Sequence, residues 1–154
     1  MPHALLSIVV ALVGLISLLA APAHAEDTSD GSSTEAASED VYAEAKAMVN
    51  SANYLAALPV LLTLTSAEAG NADAWNLLGF THRKLGNLDD SAAAYLRVLA
   101  INPDHLGALE YQGELFLQTG QPTLAKANLA RLNRLCSGCE QAEDLDQTIR
   151  AAGV

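Results

Sequence analysis

The sequence predicts an all-α protein in which three helix-turn-helix units stack into a solenoid that ends in a capping helix. Gly79 and Gly86 recur 34 residues later as Gly113 and Gly120. The apolar residues between them follow the spacing of a helix rather than the alternation of a strand. A fixed period of this length is typical of repeat proteins, in which each unit buries its apolar face only against its neighbours.

The central unit, residues 72–105, carries the most complete motif. It resembles the tetratricopeptide repeat (TPR) at Trp75, Leu78, Gly79, Gly86, Tyr95, Leu99 and Pro103. The resemblance implies two antiparallel helices, helix A and helix B, joined by a tight turn. The interior is predicted to contain Trp75, Leu78, Leu85, Leu88, Ala92, Tyr95, Leu96, Leu99 and Ile101.

The period extends in both directions from this unit without insertion. Residues 106–139 form a third copy that lacks the terminal proline, and residues 38–71 form a degenerate first copy that is recognised mainly by its register. Helices A and B can cross closely only where a small residue lies between them, which predicts that role for Ala45, Gly79 and Gly113.

The first 25 residues differ from the repeats. Residues 4–21 are almost wholly apolar, and the segment closes with Ala23-His24-Ala25, a small-x-small pattern suited to signal peptidase. We therefore expect cleavage after Ala25 and a periplasmic or secreted protein of the exported bacterial type. Because Met1-Pro2-His3 carries no Lys or Arg, an uncleaved membrane anchor remains the alternative.

The composition after the signal is acidic. Residues 26–37 contain no aliphatic residue larger than Ala and are predicted to form a disordered acidic linker. The chain has 8 Lys and Arg against 18 Asp and Glu, a formal net charge of −10. The phosphates of nucleic acid and acidic lipid headgroups would repel such a surface. We therefore expect no nucleic-acid partner, and membrane contact only through an uncleaved signal.

The last segment, residues 140–154, is predicted to be the capping helix. Its apolar stripe consists of Ala142, Leu145, Ile149 and Ala152, and the opposite side is polar. A terminal repeat needs such a helix because its outer apolar face would otherwise contact water.

Cys136-Ser137-Gly138-Cys139 replaces the proline-containing turn before the capping helix. In an exported protein we expect a disulfide between Cys136 and Cys139, with Gly138 turning the chain. A two-thiolate Cu(I) site and a redox-active pair remain the alternatives. A zinc site is not expected, because His82 and His105 are wrongly spaced for one.

Catalytic sequence motifs are not visible, so we expect a non-enzymatic protein without a cofactor or a metal. The resemblance implies instead that helix A residues line a concave groove that receives an extended peptide or a partner helix. The expected groove residues are Tyr42, Lys46, Asn76, Phe80, Arg83, Lys84, Glu110 and Glu114. Phe80 is either an anchor for the ligand or a residue packed on a neighbouring helix.

The charges of these positions mix a basic centre with acidic flanks, which suits a peptide of mixed charge. Some TPR proteins grip a C-terminal carboxylate with a Lys and Asn clamp. Here that pattern is missing, because its first four positions hold Tyr42, Lys46, Leu77 and Gly107.

The expected function is therefore a protein-binding scaffold or adaptor in the cell envelope. Copper handling or redox sensing through Cys136 and Cys139 is the alternative. Self-association of the solenoid also remains open.

Overall fold

The computed structural model describes the backbone of residues 30–154 and the side chains of residues 38–154. This part of the chain contains seven α-helices and no strand. The helices are α1 (Asp30–Asn50), α2 (Tyr54–Ala67), α3 (Ala72–Leu85), α4 (Leu88–Ile101), α5 (Leu106–Gln118), α6 (Pro122–Leu135) and α7 (Glu140–Ala151). The predicted all-α architecture of three hairpins and a capping helix is confirmed. The predicted signal peptide lies outside the described residues.

The helices form two layers. Helices α1, α3 and α5 contact one another in sequence and provide the A helices, whereas α2, α4 and α6 pack on them as the B helices. Helix α7 packs against both α5 and α6, so it covers the end of the last hairpin. Its buried residues are Ala142, Leu145 and Ile149, as the apolar stripe predicts, but Ala152 is exposed because α7 ends before it.

Helix α1 begins earlier than the repeat register predicts. Residues 30–37, which were expected to belong to a disordered linker, are helical, and this part of the linker prediction is wrong. Glu35, Ala36 and Ala37 are strong helix formers, so residue propensity allows α1 to begin before residue 38. The other residues of the predicted linker, 26–29, lie outside the described range.

The crossing of α3 and α4 explains the glycine at position 79. A Cβ on Gly79 would lie 2.7 Å from Cε1 of Tyr95, which is fully buried in α4. The Ser91 hydroxyl donates a hydrogen bond of 2.8 Å to the Gly79 carbonyl and ties the same two helices together. The predicted packing role of Gly79 is confirmed.

Gly113, the counterpart of Gly79 in the next hairpin, contacts a different helix from the predicted one. A Cβ on Gly113 would lie 2.6 Å from Cδ2 of Leu145 in α7. Leu129 takes the sequence position that corresponds to Tyr95, but its side chain is shorter. The side chain over Gly113 is that of Leu145 and not that of Leu129. The small residue therefore positions the capping helix rather than α6.

The turn at Gly138 follows the prediction. Helix α6 ends at Leu135, Gly138 has a φ of 74°, and α7 begins at Glu140. One interior prediction is wrong: Leu96 is 64% exposed on α4. It falls on the outer side of a B helix, where no further layer covers it.

Candidate functional site

A concave cavity of about 520 Å³ lies on the face formed by the A helices, and we call it the groove. It is lined by Tyr42, Lys46, Val49, Asn50, Tyr54, Asn76, Leu77, Phe80, His105, Gly107, Glu110, Tyr111 and Gln141. These residues come from α1, α3 and α5, with contributions from the start of α2 and from α7. The groove therefore crosses all three hairpins and reaches the capping helix.

Five of the eight predicted groove residues line this cavity: Tyr42, Lys46, Asn76, Phe80 and Glu110. Of the other three, two lie beside Phe80 and the third pairs with one of them. Cζ of Arg83 lies 5.4 Å and Nζ of Lys84 lies 5.0 Å from the centroid of the Phe80 ring. Glu114 forms an ion pair with Arg83. The structure thus brings the predicted set to one face of the molecule, while ligand binding by these residues remains a prediction.

The centre of the groove is aromatic. The Phe80 ring centroid lies 4.9 Å from that of Tyr111 and 6.2 Å from that of Tyr54. Phe80 is partly buried against the core of α1, α2 and α3 and also lines the cavity, while its role as an anchor for a ligand remains a prediction. Burial first, then the Glu110 and Glu114 carboxyl groups, raise the pKa of Tyr111 to about 12, which keeps its hydroxyl protonated as a hydrogen-bond donor. We call Tyr54, Phe80 and Tyr111 the aromatic strip.

Two members of the aromatic strip were not predicted from the sequence. Tyr111 lies on the same helical face as Gly107 and Glu114, at the i+4 and i−3 positions, and that spacing could have revealed it. Tyr54 begins a B helix, so it lies outside the A-helix positions from which the groove was predicted. Gln141 belongs to the capping helix and reaches the groove only through the way α7 docks.

The basic centre of the groove is partly neutralised. Arg83 pairs with Glu114 across α3 and α5, and their side chains are only 10% and 20% exposed. Because the pair has so little exposure, removing one partner would leave the other charge buried and unpaired, which destabilises the folded state. The charge of Arg83 is therefore paired with Glu114, although its Nε has no hydrogen-bond partner among residues 38–154.

Lys46 and Lys84 differ from Arg83. Both are exposed, and no carboxylate of residues 38–154 lies within ion-pair distance of either ammonium group. Lys46 lines the cavity and Lys84 lies beside the Phe80 ring. Lys46 in the groove and Lys84 at its edge therefore have no ion-pair partner among residues 38–154.

Glu110 is a buried carboxyl group, with only 6% of the residue exposed. Burial, followed by the nearby carboxylates of Glu114, Asp144 and Glu140, raises its pKa to about 8, and Arg83 opposes this rise. The predicted acidic flank is therefore uncharged at this position at neutral pH.

His105 has a larger role than that of an ordinary loop residue. Its Nδ1 accepts a hydrogen bond of 3.1 Å from the backbone N–H of Ala108 and caps the start of α5. Because Nδ1 is an acceptor, Nε2 carries the proton and donates to Oδ1 of Asp73 at 2.9 Å. His105 thereby ties α5 to α3 at the edge of the groove.

The sulfur atoms of Cys136 and Cys139 are at bonding distance and form a disulfide, with 5.5 Å between the two Cα atoms. Both cysteines pack against the core that α5, α6 and α7 share. Copper handling and redox sensing by these thiols would require this bond to be broken, and both remain untested predictions. In the described part of the chain, no three His, Cys, Asp or Glu side chains come together as a metal site.

Residues 72–105 match the family model of the tetratricopeptide repeat. The fold is that of a TPR array. The match covers the hairpin of α3 and α4, and structural similarity extends over the neighbouring hairpins as described next. No curated protein sequence matches the chain. None of the helices in the described range is both long and apolar enough to span a bilayer.

Solved structures share this TPR fold at low sequence identity. The Yersinia enterocolitica type III secretion chaperone SycD, in complex with a peptide of the translocator YopD, is 18% identical with a TM-score of 0.64, covering 74% of this chain and 87% of that one. PcrH, in complex with the chaperone-binding region of PopD, is 16% identical with a TM-score of 0.68, covering 77% and 92%. The first TPR of Spaghetti (RPAP3), bound to an HSP90 peptide, is 14% identical with a TM-score of 0.67, covering 76% and 94%.

Proposed function

We propose that this chain is a non-enzymatic scaffold or adaptor that binds a peptide or helix of another protein in the groove. The observation that carries the proposal is the aromatic strip, which lines a cavity that crosses three hairpins. Aromatic side chains contribute large contact areas and are enriched among the residues that dominate binding energy. The polar Asn50 and Gln141 at the sides of the cavity can hydrogen-bond the backbone of an extended ligand.

The structural neighbours support this proposal by analogy. SycD and PcrH were solved with peptides of translocator proteins, and RPAP3 with an HSP90 peptide. A peptide ligand also suits the shape of the site, because an open groove fits a chain better than it encloses a small molecule. The side chains that line the groove, and not the fold, determine which partner can bind.

Site-specific photo-crosslinking tests the proposal. A benzophenone amino acid replaces Asn50 inside the groove or, as the matched control, Leu96 on the outer side of α4. After irradiation in an envelope extract of the source organism, we expect a discrete crosslinked partner only from position 50. Adding Phe80→Ala should remove that product. Equal products from both positions, or a product that does not depend on Phe80, would contradict the groove as the binding site.

We propose further that the protein acts in the cell envelope after export. The support for this is the apolar N-terminal segment that ends at Ala25 and the Cys136–Cys139 disulfide, which suits an oxidising compartment. Expression of the full chain in a bacterium should yield a periplasmic protein whose first residue is Glu26. Recovery of full-length protein from the cytoplasm, with reduced thiols, would contradict this part of the proposal.

A further inference from the structure

Part of the charge around the groove is neutralised within the protein. Arg83 and Glu114 pair with each other. Glu110 is buried with a pKa of about 8, so its carboxyl group is protonated at neutral pH. The acidic flank that the sequence predicts therefore presents less negative charge to a ligand than its composition indicates.

Two ammonium groups, one in the groove and one beside it, have no ion-pair partner among residues 38–154. Lys46 lines the cavity, and Nζ of Lys84 lies 5.0 Å from the centroid of the Phe80 ring. The chain as a whole has a formal net charge of −10 with only 8 Lys and Arg. These two lysines are therefore complementary to a negatively charged ligand, although the protein as a whole is acidic.

We propose that the groove selects a peptide segment in which an acidic residue adjoins a large apolar or aromatic residue. The inference rests on the proposed peptide-binding function. The apolar side chain would contact the aromatic strip, and the carboxylate would pair with Lys84 or Lys46. Lys84 lies next to the Phe80 ring, so a carboxylate bound to it has its apolar neighbour within reach of the aromatic strip.

A second cavity gives the bound peptide a direction. It adjoins the groove at Tyr42 and is lined by Glu39, Asp40 and Asp73, among others. Like charges repel, so the acidic part of the peptide is directed away from this end and towards Lys84. A basic residue at the other end of the peptide would be favoured there.

Selection from a random library of short peptides displayed on phage tests the inference. The wild-type protein, with its disulfide intact, is the bait, and peptides that also bind Phe80→Ala are removed. We expect the remaining peptides to contain Asp or Glu within two positions of Phe, Tyr, Trp, Leu or Ile. Neutral or basic peptides that depend on Phe80 would overturn this inference and leave groove binding in place. No Phe80-dependent enrichment would overturn groove binding and this inference with it.

A charge reversal supplies the second measurement and does not depend on the folding of Phe80→Ala. Lys84 is exposed, so Lys84→Glu should fold as the wild type does, and Lys126→Glu on the exposed surface of α6 is the matched control. We expect Lys84→Glu to lower the affinity for an enriched acidic peptide roughly three- to tenfold, as measured by fluorescence anisotropy. A peptide with Lys in place of its acidic residue should bind Lys84→Glu better than it binds the wild type. Equal affinity of the acidic peptide for wild type and Lys84→Glu would overturn the role of Lys84.

Discussion

Leu145 of the capping helix lies directly over Gly113 of α5. A Cβ at position 113 would come within 2.6 Å of Cδ2 and 2.7 Å of Cδ1 of Leu145, which is fully buried. This contact sets how closely α7 approaches α5. Because Gln141 of α7 lines the groove, the same contact positions part of its wall. The packing of the last hairpin and the shape of the candidate site are therefore coupled.

Gly113→Ala should destabilise the protein by about 1–3 kcal/mol, because the added methyl group overpacks the contact with Leu145. Urea unfolding followed by circular dichroism measures the change. Gly70→Ala is the control, since a Cβ there would meet nothing within 4 Å and its φ is not positive. Its effect should stay within about 0.5 kcal/mol.

The same contact predicts that the effects of Gly113→Ala and Leu145→Ala are not additive. The smaller side chain at position 145 makes room for the methyl group, so the double variant should lose less stability than the sum of the single variants. Strict additivity would show that Leu145 is not the residue that Gly113 accommodates.

Glu110→Gln should change how stability depends on pH. The pKa of Glu110 is raised from 4.5 to about 8 in the folded protein, so the folded state binds this proton more tightly than the unfolded state does. Its contribution to stability is therefore greatest below pH 4.5 and is lost as pH rises towards 8. The Gln variant should be more stable than wild type near pH 9, by about 1–3 kcal/mol, and similar to it near pH 4.

Thermal unfolding at a series of pH values measures this difference. Glu143→Gln on the exposed side of α7 is the control and should follow the wild-type curve closely. A constant offset between Glu110→Gln and wild type at every pH would contradict a buried, protonated carboxyl group at position 110.

Replacing Arg83 should destabilise the protein, because its partner Glu114 would be left without a countercharge. Arg83→Met leaves the Glu114 carboxylate poorly exposed and unpaired, beside Glu110, and should destabilise the protein by about 1–3 kcal/mol. The double variant Arg83→Met with Glu114→Leu removes both charges and should recover most of that loss in the same urea titration. If the double variant loses as much stability as the sum of the losses from Arg83→Met alone and Glu114→Leu alone, the two residues do not act as a pair.

Removal of the disulfide should loosen the capping helix in particular. The chain-entropy model assigns about 2 kcal/mol to so short a loop, so Cys136→Ser with Cys139→Ser should lower stability by about that amount. Hydrogen exchange should be faster in α7 and unchanged in α3 and α4. Uniformly faster exchange in all helices would mean that the disulfide supports the whole array and not the cap.

The helices could be predicted from the sequence because their determinants are local or periodic. Gly138 and the loss of the terminal proline mark the end of the third hairpin, and the helix boundaries there follow the prediction. The prediction failed for Leu96, whose apolar character indicates burial although nothing packs on that side of α4. It also failed at residues 30–37, because composition alone does not distinguish a polar linker from a polar helix.

The groove residues also divide into those that the sequence predicts and those that it does not. The helical period placed Asn76, Phe80 and Glu110 on the inner face, since helix A positions repeat with the hairpins. Tyr54 and Gln141 reach the groove from a B helix and from the capping helix, and the assignment of the groove to helix A positions includes neither.

The sequence by itself determined the all-α repeat architecture, its 34-residue period and the inward face of the A helices, because these depend on residue type and spacing along the chain. Only the tertiary structure decided which charges remain available. Arg83 and Glu114 are 31 positions apart and neutralise each other, and Glu110 loses its charge to burial. Lys46 and Lys84 have no ion-pair partner in the part of the chain whose side chains are described. Pairing and desolvation depend on distances through space, and the linear order of residues does not contain them.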